Sequence, residues 1–238
     1  MKNNYEYSLR LRVSDFDINR NIKPSSVLDL FQEAASAHAD VLGIGFSSLS
    51  DKNLLWVVTK VKFKILKMPE MHSSVTVRTW PLKPDSIKLQ REYVMHSQSG
   101  EPLIVGTSEW VLMDAVSRRI APSKDIYPFE VFCSDTMFEQ RLVKVSDFAE
   151  TDFENKTSPA FCDLDMNGHV NNIKYADYVL NALPVKNEQI KSFQLDFHKE
   201  LKIDTELNIL IKALEDGFVC KGLNEADEKM FFCEIKTK

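Results

Sequence analysis

The sequence predicts an α+β chain in which one unit is written twice, each unit an antiparallel sheet wrapped around a central helix. Three observations predict it. The string Asp15-Phe16-Asp17-Ile18-Asn19-Arg20-Asn21-Ile22 recurs as Asp163-Leu164-Asp165-Met166-Asn167-Gly168-His169-Val170 at one constant offset, which Asp29 and Asp177 keep further along. Each copy of the string leads into a segment with helical character. Each helix is followed by runs rich in β-branched and aromatic residues, divided by turn formers. The 238 residues, 44% of them apolar, suffice for one large domain or two of modest size, and the duplication decides for two.

Taken in order, Tyr7, Leu9, Leu11 and Val13 alternate with Ser8, Arg10 and Arg12, the period of a half-buried strand. The first copy of the repeated string follows. After Pro24, the set Val27, Leu28, Phe31, Ala34, Ala35, His38, Val41 and Leu42 falls on one helical face, and Gly43 is placed to end the helix. Strands are then expected over Leu54 to Ile65, Val75 to Trp80, Ile87 to Met95 and Leu103 to Met113, as an antiparallel meander turned at Lys83-Pro84-Asp85 and Ser97-Gln98-Ser99-Gly100. From Ser123 to about Pro159 no period is clear, and this stretch reads as a connector. The second copy starts with a short strand into Cys162, then the string, then a helix from about Asn172 stopped by Pro184. Strands at Ile190 to Ile203, Thr205 to Ala213, Phe218 to Leu223 and Met230 to Lys236 complete it. The expected division is residues 1–125, a connector at 126–157, and 158–238.

Composition excludes several classes. A net charge of -5 and a pI near 5.6 give no overall basic excess for nucleic acid. Cys133, Cys162, Cys220 and Cys233 form no CxxC pair and no zinc-like spacing, so reduced thiols in a cytoplasm are expected. The first twelve residues lack an apolar core, and no run approaches the ~18 apolar residues of a membrane helix, so a soluble chain without membrane association is expected. No histidine pair has metal-ligand spacing, and seven glycines form no phosphate loop, so neither a metal nor a nucleotide cofactor is expected.

Asp165, Asn167 and His169 occupy alternate positions immediately before a helix, so in an extended segment their side chains project to one side. The bland reading of Asp and Asn there is capping of a turn and helix, and it suits Asp17 and Asn19. Only the second copy adds an imidazole, because Asn21 stands where His169 does. Divided labour is therefore expected, with chemistry in the second copy. Asn171 and Asn172 read as helix-start residues, Cys162 as a small buried hydrophobe facing away from Asp165, and His38 as a satisfied core or pocket residue.

The order of elements and the string from Asp163 to Asn172 resemble the acyl-acyl-carrier-protein thioesterases, tandem hotdog proteins of bacteria and plant plastids. Leu55-Trp56-Val57-Val58-Thr59, Thr76-Val77-Arg78-Thr79-Trp80-Pro81 and Trp110-Val111-Leu112-Met113-Asp114 extend the resemblance over most of the chain. It implies a tandem hotdog fold and release of free fatty acid from acyl-acyl carrier protein, with that carrier as partner and a homodimer left open. A glutamate of the family maps to Glu200, giving a catalytic set of Asp165, Asn167, His169 and Glu200. Accounts of the family that place a cysteine nucleophile after the glutamate meet Leu201 here, which cannot attack a thioester. Water attack remains, with Glu200 or Asp165 as general base and, by likeness to single-copy hotdog thioesterases, Asp165 also as nucleophile. Asn167 would orient water or carbonyl, and His169 would hold the thioester oxygen or polarise its partners.

An acyl chain needs an apolar wall, and Val27, Phe31, Ala34, Ala35, Trp56 and Val58 are the candidates, with ordinary core packing an equal reading for each. Lys60, Lys62 and Lys64 share one strand face, either solvated or docking an acidic carrier, and Arg118, Arg119 and Lys124 could extend that face. The rivals are the same chemistry on acyl-CoA and a non-catalytic acyl-thioester-binding module, which the chain's start at its first strand and the intact second motif disfavour.

Overall fold

The computed structural model describes residues 3–84, 87–123, 126, 127, 131–138, 142–165, 168–183 and 189–237. Among them, β1 (Tyr5–Arg10) leads to α1 (Pro24–Val41), a short α2 (Phe46–Ser50), β2 (Leu54–Ile65), β3 (Ser74–Pro81), β4 (Lys88–Ser97), β5 (Pro102–Asp114) and a two-residue β6 (Ile120–Ala121). The second half runs β7 (Phe153–Thr157), α3 (Lys174–Ala182), β8 (Ile190–Phe197), β9 (Leu207–Leu214), β10 (Gly217–Leu223) and β11 (Lys229–Thr237). All strands join one sheet of order β1-β3-β4-β5-β2-β8-β11-β10-β9-β7, with β6 on β5.

That order is the duplication drawn in space. Reading outward from the seam, β2-β5-β4-β3-β1 matches β8-β11-β10-β9-β7 strand for strand. It also corrects the expected simple meander: β2 lies beside β5 rather than β3, and only β3-β4-β5 and β9-β10-β11 are meanders. The strand expected to run into Cys162 lies earlier, at β7, inside the stretch read as connector; Cys162 itself is exposed on a 3-10 turn over Phe161–Asp163. The offset of 148 that separates Asp15 from Asp163 also separates Tyr5 from Phe153, so β7 is the counterpart of β1. The strand expected over Ile190 to Ile203 also ends early: β8 stops at Phe197, and the chain from His198 to Leu201 leaves the sheet.

The halves meet where β2 pairs with β8 from Lys60↔Asp196 to Lys64↔Ser192, and Phe63 stacks on Phe193 with centroids 5.6 Å apart. One apolar cluster runs through both halves, including Phe31, Ala34, Phe63 and Tyr93 of the first and Tyr175, Phe193 and Phe231 of the second. Phe31 lies flat on Tyr93 at 4.5 Å, a close approach that Gly106 permits, since a Cβ there would stand 2.1 Å from the Phe31 ring.

Strand alternation sends the other face outward, and the segment between the halves crosses it. Cys133 N–H donates to Pro81 O and Met137 N–H to buried Glu92; further on, Val145 N–H donates to Asp196 at 2.8 Å. Burial pushes the Glu92 carboxyl above its ordinary value, an effect that the Thr107 hydroxyl and Met137 N–H partly offset. The start of the same segment packs on the helix side, where Tyr127 and Val131 cluster with Ala39, Leu42 and Ile44.

Candidate active site

The repeated string folds into the same loop twice. In the first copy Phe16 bridges Ile22, Asp17 N–H donates to Asn21 O at 2.9 Å, and Arg20 takes a positive φ. In the second, Leu164 bridges Val170, Asp165 N–H donates to His169 O at 2.8 Å, and Gly168 carries the positive φ without a side-chain penalty. Asp17 Oδ1 accepts the N–H groups of Asn19 and Asn21 at 2.9 and 2.8 Å, the turn-capping role expected of it. Asp165 Oδ1 accepts the His169 N–H at 3.2 Å. Asp165 therefore shares the local turn bond of its counterpart, but it differs in what it faces.

His169 Nε2 lies 3.2 Å from Glu200 Oε2. Glu200 is brought there because the chain leaves β8 after Phe197 and is tied back at Leu201, whose carbonyl accepts the Val170 N–H at 3.0 Å and whose N–H donates to the Tyr175 hydroxyl at 3.1 Å. Tyr175 is buried edge-on against Phe197 and Phe231, and burial pushes its hydroxyl up to about 12, with the charges of Glu200 and Asp165 adding to the effect. It stays a neutral hydrogen-bonding post between α3 and the Glu200 segment. The other carboxylate oxygen of Glu200, Oε1, pairs with Arg118 from the first half. Asn167 and Lys124 lie outside the described residues.

Asp165 lines a cavity of about 440 Å³, a size that suits a small-molecule site. Its wall is built mostly by the first half: Ala35, Ala39 and Ile44 along and beyond the C-terminal part of α1, Leu49 of α2, Leu55 and Trp56 of β2, and Trp110 of β5. Trp56 is fixed by donating Nε1–H to Ile44 O at 2.9 Å. The cavity lies along α1, which has 18 residues against 9 in α3. A much smaller void of about 30 Å³, lined by Leu28, Phe31, Val58, Asn172 and Phe197, sits between the halves. Gln32 and Asn172 line both spaces.

The expected acyl wall is thus divided. Ala35 and Trp56 line the large cavity, and Phe31 and Val58 the small void; Val27 and Ala34 are fully buried in the apolar core and line neither. The expected basic face is likewise dispersed. Lys60 is tied to Glu109 at 2.8 Å, Lys62 faces Glu234 at 3.9 Å, Lys64 and Arg119 are exposed, and Arg118 is engaged by Glu200. Asn171 caps the helix start by accepting the Ile173 N–H, as expected, whereas Asn172 does more than begin a helix. His38 is buried, with Nδ1 3.0 Å from Arg91 Nη1 and its ring stacked on Tyr5. Arginine can only donate, so Nδ1 is the acceptor. Burial pushes the Cys220 and Cys233 thiols up, to about 12 for Cys220, and Leu201 is fully buried. Neither cysteine is a candidate nucleophile.

Two family models cover the chain: Acyl-ACP thioesterase N-terminal domain over residues 2–127 and Acyl-ACP thioesterase C-terminal domain over 146–238. A palmitoyl-acyl carrier protein thioesterase of Arabidopsis thaliana chloroplasts is 29% identical over 223 residues, covering 87% of this chain and 54% of the relative. The chain spans about half the length of the curated relatives it matches. Among solved structures, an acyl-ACP thioesterase from Bacteroides thetaiotaomicron superposes with a TM-score of 0.90 at 18% identity, covering 99% of this chain and 98% of that one. The 12:0-ACP thioesterase from Umbellularia californica superposes with a TM-score of 0.87 at 22% identity, covering 100% and 98%. With the mirrored strand order, these likenesses make the fold a tandem hotdog, as the sequence resemblance implied.

Proposed function

Because the chain belongs to the acyl-ACP thioesterase family, we propose that it hydrolyses acyl-acyl carrier protein to free fatty acid and holo-carrier, in the cytoplasm and with no metal or cofactor. The observation that carries this reading is Asp165 on the wall of the cavity, in a loop where its carboxylate accepts the N–H of His169, whose ring meets Glu200. In the reaction, Asp165 takes a proton from water as the water oxygen bonds to the thioester carbonyl carbon. The tetrahedral intermediate collapses with loss of the C–S bond, and the pantetheine sulfur leaves with the proton that Asp165 gives back. Glu200 is engaged on one oxygen by His169 and on the other by Arg118, which favours Asp165 over Glu200 as the base and leaves Glu200 to orient the imidazole. Asn167 completes the set by orienting water or carbonyl.

The acyl chain lies in the first-half cavity, where each buried methylene contributes ~0.8 kcal/mol. This assigns chain-length selectivity to the first copy and separates two neighbouring alanines. Ala35→Phe, on the cavity wall, should shift preference toward shorter chains, since overfilling costs roughly 1–3 kcal/mol for any chain that must reach that depth. Ala34→Phe, in the closed core, should instead lower the melting temperature and leave the chain-length profile unchanged. Assays across chain lengths, with melting curves for both variants, check the pair; an equal loss across lengths in Ala35→Phe would move the tunnel elsewhere.

The test of the activity itself is turnover by purified protein on matched acyl-carrier-protein, acyl-CoA and acyl-pantetheine thioesters. Hydrolysis with the highest kcat/KM on the carrier-protein substrate is expected. A preference for acyl-CoA would reassign the substrate, and binding without turnover would reassign the class.

A further inference from the structure

We propose that Arg118, carried by the first copy, is a positioning residue for the histidine of the second, so that the reacting cluster is built from both copies. The inference rests on the hydrolase reading above and adds to it a residue outside the repeated string. Arg118 Nη2 engages Glu200 Oε1, and Glu200 Oε2 faces His169 Nε2 at 3.2 Å. With one oxygen held by the guanidinium, the carboxylate is turned so that the other meets the imidazole.

An exposed ion pair alone would carry little weight, since such pairs often contribute almost nothing. Here the backbone that delivers the arginine is itself constrained. Arg118 has φ of 58°, a left-handed conformation that side-chain-bearing residues seldom adopt. The turn that enforces it is bonded throughout. Asp114 Oδ1 accepts the N–H groups of Val116 and Ser117, Arg118 N–H returns to Asp114 O at 2.9 Å, and Asp114 N–H donates to Arg119 O at 2.9 Å. Ala115 N–H donates to Asn53 O at 2.8 Å, and β6 then pairs back onto β5. The Asp114 carboxyl is held below its ordinary range by the Ser117 N–H, so the turn keeps its acceptor in ordinary buffers. Glycine would suit the backbone at 118 better than arginine does, yet it would remove the group that reaches Glu200. The opposite bank is equally fixed, through Leu201 on Val170 and Tyr175. Two rigid banks, one from each half, thus meet through a single guanidinium-carboxylate-imidazole line.

Glycine at 118 separates positioning from folding. Arg118→Gly relieves the left-handed backbone and should melt at or above the parent temperature while losing 10- to 100-fold in kcat on acyl-carrier-protein substrate, with KM within about twofold. Arg118→Lys should recover part of kcat, and Glu200→Gln combined with Arg118→Gly should fall no further than Glu200→Gln alone. A parent-like kcat in Arg118→Gly, or a change confined to KM, would overturn the positioning role. If the parent protein hydrolyses no acyl-carrier-protein thioester, it is the function reading that fails, so the two outcomes are distinct.

Discussion

Replacing Asp165 by Asn should lower kcat on acyl-acyl carrier protein by a hundredfold or more while leaving the fold intact. The two halves of that expectation come from different contacts. Asp165 accepts the His169 N–H through Oδ1, and an asparagine amide oxygen can accept the same bond, since Asn and Asp cap turns about equally well. The loop should therefore survive, and the melting temperature should stay within a few degrees. What the amide cannot do is take a proton from water, and the loss of a placed general base costs roughly 10²–10⁴ in rate. Asp17→Asn is the internal control, because Asp17 makes the same kind of turn bonds to Asn19 and Asn21 in the copy that lacks an imidazole. It should leave kcat unchanged. Turnover within tenfold of the parent in a folded Asp165→Asn variant would remove Asp165 as base and return Glu200 to that role.

Much of this was legible because repeats and two-residue alternation are written in the sequence itself. The bounds expected for β2, Leu54 to Ile65, are those observed, and α1 ends where Gly43 allows. The string around Asp163 announced a loop whose hydrogen bonds turn out to be repeated almost atom for atom. Less legible was β7. Its Phe-Glu-Asn-Lys-Thr is an exposed edge strand with no apolar face, so periodicity is silent, although the repeat offset applied to β1 would have located it. The early end of β8 was hidden for another reason. His198 to Leu201 leave the sheet to meet the His169 loop, and a tertiary contact overrides a strand-like run. The cavity could not be read at residue level either. Ala34 and Ala35 are adjacent on the same helix, and only the rotation of α1 against the sheet decides that one faces the core and the other the open space. The Arg118 contact with Glu200 and the place of Asn172 on the cavity wall were not legible, because their partners are distant in sequence or supplied by a space, and neither leaves a local pattern.

The second large effect concerns whether His169 and Glu200 act as one device. Single replacements His169→Ala and Glu200→Gln should each lower kcat by about a hundredfold, equivalent to about 2.7 kcal/mol in the barrier. If Glu200 works only by orienting the imidazole across the 3.2 Å contact, removing it after His169 has gone has nothing left to disturb. The double variant should then be no slower than the slower single, a coupling about as large as either individual loss. Folding stability gives the contrast. Both side chains are partly exposed, at 30% and 39%, and the pair should contribute less than about 1 kcal/mol to stability, so all three variants should melt close to the parent. Independent roles, with Glu200 taking the water proton and His169 holding the thioester oxygen, predict instead that the losses multiply toward ten-thousandfold. Single-turnover kinetics on one acyl-carrier-protein substrate distinguish the cases, because the chemical step is read without interference from product release. Multiplying losses would divide the cluster into two separate catalysts and leave Arg118 as no more than a surface partner of one of them.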